Sequence, residues 1–80
     1  MATKEPTNEL EIWTIYDKPK DYPNNFVARK EIISEGKRRW ADEFMVSNKL
    51  ENIQDYMKRQ FLFRIPRNED DDPKIVECWL

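Results

Sequence analysis

The side chains best suited to chemistry fall into three short clusters. Glu69-Asp70-Asp71-Asp72 is an unbroken acidic run, and clustered carboxylates can hold Mg²⁺ or Ca²⁺ through oxygen ligands. The run lacks the Asp-x-Asp-x-Asp-Gly spacing and terminal Glu of an EF-hand loop. A solvated loop with one Asp capping the turn before Pro73 accounts for it, and no metal is expected. Lys37-Arg38-Arg39 follows Gly36, and a basic hairpin tip there could probe a phosphate backbone. Three adjacent charges are equally what a solvated turn carries. Tyr16, Asp17, Asp21, Tyr22 and Arg29 surround a proline-rich segment. A carboxylate near a tyrosine and an arginine can move protons, or it can be an ion-paired loop that fixes register at a strand end.

What accompanies these clusters decides between the readings. The chain has no histidine, which removes imidazole acid–base catalysis, Ser-His and Cys-His nucleophile pairs and His-containing zinc sites. Its single cysteine, Cys78, cannot close an intrachain disulfide or build a multi-Cys metal site. No serine elbow or glycine-rich phosphate cradle is present. The expectation is no enzyme and no cofactor. A net charge of -2 gives no general reason for nucleic-acid affinity, which needs a basic surface. No apolar run approaches the roughly 18–20 residues of a membrane span, and Met1 to Pro6 lacks the apolar region of a secretory signal. A cytoplasmic protein without membrane contact is the expectation.

The elements that position these residues read as follows. Eighty residues make one small domain, marginal enough alone that association with a partner or a second copy would suit it. Residues 1–9 read as a flexible tail and 10–80 as the domain. Leu10–Asp17 reads as a strand of β-branched and aromatic residues, and Lys18–Asn25, with its prolines and asparagines, as a loop. Phe26–Ser34 and Trp40–Ser47 read as strands joined around Gly36. Leu50, Ile53, Tyr56, Met57 and Phe61 form one apolar stripe on a helix over Asn48–Phe61. Asn48 and Glu51 are spaced for a capping box. Phe61–Ile65 and Lys74–Leu80 complete a five-stranded, mostly antiparallel α+β sheet in the order β-β-β-α-β-β, with one helix on one face.

One helix cannot cover both faces of such a sheet. Trp13, Ile15, Ile75 and Trp79 do not all fit the helix side, so they are the candidate partner or dimer face. Lys37, Arg38 and Arg39 are the candidate basic hairpin tip. Cys78, alternating with Val76 and Leu80, reads as a small buried apolar residue.

Two stretches carry a family likeness. Ile12–Arg29 (IWTIYDKPKDYPNNFVAR) and Phe63–Leu80 (FRIPRNEDDDPKIVECWL) resemble a family of short bacterial and phage proteins with no assigned activity. The likeness runs over about residues 12 to 80 and is weakest over 31–47. It implies kinship and a bacterial or phage origin, and no chemistry. Family members carry a glycine near the helix end and a valine where Cys78 stands; this chain departs at both, which argues against Cys78 as a nucleophile. The functional expectation is a small non-enzymatic domain that binds another protein, of a kind suited to a phage-borne or mobile-element modulator of a host protein. The alternative is a nucleic-acid accessory protein using the basic hairpin tip.

Overall fold

The computed structural model describes residues 9–69 and 72–80. Residues 1–8 of the expected tail lie outside the described residues; Glu9 already belongs to the first strand. The elements are β1 (Glu9–Asp17), β2 (Phe26–Ser34), β3 (Lys37–Ser47), α1 (Leu50–Arg59), β4 (Arg64–Pro66) and β5 (Ile75–Trp79). They form one antiparallel five-stranded sheet in the order β3-β2-β1-β5-β4 with a single helix, an α+β fold.

Local chemistry explains the meander β1-β2-β3. Ser34 pairs directly with Lys37, leaving Glu35 and Gly36 as a two-residue turn with φ of 51° and 77°. Positive φ at both central residues is the I′ hairpin turn, whose twist matches that of the strands it joins. The turn is shorter than expected from sequence. Lys37, Arg38 and Arg39 therefore open β3 directly after the turn and are strand residues, not part of the loop itself. Farther along, Arg29 pairs with Phe44 but Glu31 with Trp40, so β3 bulges over residues 41–43 and its edge is bent there.

β3 runs almost directly into α1, and the capping differs from the sequence expectation. Lys49 is the extended N-cap residue and makes no side-chain cap. Ser47 does the work: its Oγ accepts from the Lys49 amide and from Asn52 Nδ2, each at 3.1 Å. Asn48 and Glu51 form no capping box. The helix buries Ile53 and Met57, with Leu50 packed beside them. It ends earlier than its apolar stripe suggested. Leu62 N–H donates to Met57 O at 3.2 Å and Phe61 N–H to Lys58 O at 3.0 Å, the paired bonds of a Schellman motif. That motif places Phe61 in the left-handed region (φ 59°), where glycine is the usual occupant. Phe61 thus leaves the stripe and stands 88% exposed.

The helix carries the chain from one sheet edge, β3, to the other, β4. The chain then turns back into β5, which pairs with β1 in the middle of the sheet. In the intervening loop the Lys74 amide donates to Asp72 Oδ1 at 2.9 Å. Asp70 and Asp71 of the acidic run lie outside the described residues.

Beneath the helix the core consists of Trp13, Ile15, Ala28, Ile53, Met57 and Trp79. Among these apolar groups sits Glu77, 1% exposed. Its carboxylate accepts from Gln54 Nε2 on α1 (3.0 Å), Arg64 Nε on β4 (2.8 Å) and Trp79 Nε1 on its own strand (2.7 Å). Burial alone would raise its pKa, but these donors outweigh burial and hold it below the ordinary glutamate value of 4.5. A carboxylate with a depressed folded pKa stabilises the fold above its unfolded pKa. That stabilisation drains as pH falls from about 4.5 through the lower folded value.

Two outcomes are expected in chemical denaturation. Glu77→Gln lowers stability near neutral pH by about 2 kcal/mol and flattens the loss of stability below pH 4.5; a variant with the parent's acid profile would refute the assignment. Phe61→Gly raises stability by about 1 kcal/mol, because the left-handed conformation costs a side chain about that much.

Candidate functional site

Register assigns every strand residue to a face. Residues paired across strands share a side of the sheet, so the partners of Trp13 and Ile15 lie under the helix and those of Ile12, Thr14 and Tyr16 lie opposite. The open side can then be read in rows across the strands. One row runs Trp40, Glu31, Ile12; the next runs Phe44, Arg29, Thr14, Cys78, Ile65; the next runs Val46, Val27, Tyr16, Ile75. Leu80 and Phe63, which exchange backbone hydrogen bonds at 2.9 and 3.1 Å, extend the first row to the β4 edge. Leu10 and Ile33 lie above it.

This face is exposed along its margins, while Val27, Thr14 and Glu31 near its middle are buried. Trp40 is 57% exposed and Phe63 79%, and Leu10, Phe44, Val46 and Ile65 are exposed with them. Its charges are already matched. Arg38 Nε and Nη2 meet Glu31 at 2.9 and 2.7 Å, a bidentate pair that leaves Glu31 buried. Arg29 pairs with Asp21 of the β1–β2 loop and stands 5.9 Å from the centre of the Phe44 ring. Tyr22 tilts against the same ring at 6.3 Å, so the loop screens one corner of the face. Between Tyr16, Pro19, Arg29 and Trp40 lies an open notch of about 350 Å³.

The residues expected to form the contact face are placed otherwise. Trp13, Ile15 and Trp79 are core residues beneath α1; Trp13 is 6% exposed, with Tyr56 edge-on at 6.2 Å. Ile75 alone of that set faces the open side. The reason is a bulge between Ile15 and Tyr16, where β1 pairing steps from Glu77 to Ile75. Val76 joins the helix-side core instead. The exposed aromatic residues that do line the open face, Trp40, Phe44 and Phe63, belong to the edge strand β3 and to the residue preceding β4. Alternation placed Trp40 and Phe44 on one side of β3, and only the position of the helix shows which side is bare.

The basic triplet is likewise divided. Arg38 lies on the open face against Glu31, while Lys37 and Arg39 pair with Ser34 and Ile32 on the helix side, where Arg39 Nη2 lies 3.6 Å from Glu9. All three still border one open pocket, together with Glu9, Ile32, Ser34 and Glu35. Of the loop cluster, Asp21 and Arg29 come together. Asp17 keeps Oδ1 buried without a hydrogen-bond partner. Burial pushes the Tyr16 hydroxyl above its ordinary pKa, partly offset by the nearby Arg29.

Likeness to known proteins adds nothing to this geometry. No protein-family model, curated protein or solved structure matches the chain. No helix among the described residues is long and apolar enough to cross a membrane.

The two faces differ in what they do for the fold. Trp13→Ala is expected to cost about 3–5 kcal/mol in urea denaturation, and Trp40→Ser clearly less, since Trp40 is 57% exposed. Equal costs would mean that the open face is part of the core.

Proposed function

We propose that this chain is a non-catalytic binding domain that presents its open sheet face to a protein partner, whether another protein or a second copy of itself. The observation carrying this reading is the set Leu10, Trp40, Phe44, Val46, Phe63 and Ile65, exposed on one side of the sheet. A soluble domain gains nothing from such a surface by itself, and aromatic residues rimmed by paired charge are the usual material of protein contacts. Asp21 and Arg29 are engaged with each other, so the loop cluster is read as structural. The free thiol of Cys78 suits a reducing cytoplasm. The likeness to bacterial and phage proteins suits a modulator that works by occupying a surface on a host protein. The nucleic-acid alternative weakens because Arg38 is engaged by Glu31 and the triplet is split across the sheet.

A photo-reactive aromatic amino acid placed at position 40, and separately at position 55 on the outer side of α1, tests the face in living cells. Discrete protein adducts from position 40 and none from 55 are expected. Adducts from neither, or equally from both, would remove the proposal. Binding of single-stranded DNA at low salt with a steep salt dependence would restore the alternative.

A further inference from the structure

The open face suits one occupant better than others, and we propose that it is a second copy of this chain, giving a helix–sheet–sheet–helix sandwich. This inference rests on the reading of the open face as a contact surface and names what covers it.

Area is the first argument. Five strands about 4.8 Å apart, the central ones nine residues long and rising about 3.3 Å per residue, outline about 600 Å² once the short β4 is allowed for. Two such faces bury about 1,200 Å² together, the size at which specific, stable interfaces begin. Left bare, the same area is at the upper limit of what monomers expose.

Charge is the second argument. A face that meets its own copy by a two-fold axis brings like groups near like groups, so any unpaired charge there would be repelled by its counterpart. Here the arginines are neutralised within each copy, Arg38 by Glu31 and Arg29 by Asp21. The remaining centre is Ile12, Thr14, Cys78 and Ile65, and the Thr14 hydroxyl lies 3.8 Å from the Cys78 sulfur. The face asks for no complementary charge from a partner, and a copy of itself supplies none. The acidic and basic residues of the outer helix side, Glu51, Asp55, Lys58 and Arg59, stay in solvent on both sides of the sandwich.

Shape agrees. Trp40 and Phe44 stand on the β3 edge and Phe63 and Ile65 on the β4 side; between them Ile12, Tyr16 and Cys78 are half-buried and Thr14, Val27 and Glu31 buried. Two twisted sheets stack with their strands crossed by about 30°. Aromatic groups at the margins of one sheet can then close over the margins of the other. The notch between Tyr16, Pro19, Arg29 and Trp40 offers room for a partner's ring.

Light scattering of the purified full chain across a concentration series tests this. The expected result is a particle of twice the 9.8 kDa chain mass. Trp40→Glu and Phe63→Glu, each exposed enough to fold normally by circular dichroism, should weaken the dimer at least tenfold, and Lys58→Ala on the outer helix side should leave it unchanged. Photo-crosslinking from position 40 in the purified protein should give the same doubled mass. A monomer throughout, with adducts to a different protein from position 40 in cells, would overturn the second copy as occupant and leave the face reading standing. A dimer that survives both glutamate variants would overturn this inference, and the absence of any adduct from position 40 would overturn both.

Discussion

The buried carboxylate of Glu77 is the constraint on which the remaining structure depends. A charged group in an apolar core is tolerated only when its oxygens are satisfied, and the groups that satisfy it come from α1, β4 and β5. Gln54 ties the helix to the sheet at one rotation about its axis. Arg64 ties down a strand of three residues that has little else to hold it. Trp79 uses the same carboxylate to fix its ring in the core. An apolar residue at position 77 could pack equally well, but it would select neither the rotation of α1 nor the attachment of β4. Here a polar contact specifies the arrangement that apolar packing alone would leave loose.

With α1 fixed on that side, every other exposure follows. The helix covers Trp13, Ile15 and Trp79, and among the described residues no second helix lies over Trp40, Phe44 and Ile65. The internal pairing of Arg38 with Glu31 and of Arg29 with Asp21 makes the bare side electrically quiet. The opposite side pairs its charges as well, with Lys30 between Glu11 and Glu43 and beside the Trp13 ring. One side of the sheet is used to hold the domain together. The other is free for contact.

Much of the fold was legible in the sequence because it is specified locally. Phe26–Ser34 appears residue for residue, since β-branched and alternating apolar positions declare a strand without reference to anything distant. The order of the elements and the central part of the helix stripe, Ile53 and Met57, are also read correctly for this reason. The face assignment was not legible, because alternation says only which residues share a side. Which side receives the helix is decided by Glu77, Gln54 and Arg64 meeting in space. Ile75 was parted from Glu77 and Trp79 by a bulge that leaves no mark in composition, and Phe61 was misplaced by a left-handed turn taken without a glycine to announce it. The basic triplet was read as a tip because a two-residue turn at Glu35-Gly36 is shorter than the polar stretch containing it.

The place of β5 has a kinetic consequence. β1, β2 and β3 join through close connections and can pair as soon as each is made. The other edge of β1 must wait for a strand far along the chain, as the separation of 64 residues between Thr14 and Cys78 measures. Closing so long a loop is slow compared with forming a hairpin. During synthesis β1 therefore passes through an interval with its backbone unpaired on one side and its aromatic residues uncovered. Such an edge is a template for pairing with the wrong chain. The wait for β5 is therefore the stage at which a newly made chain is most open to pairing with the wrong neighbour.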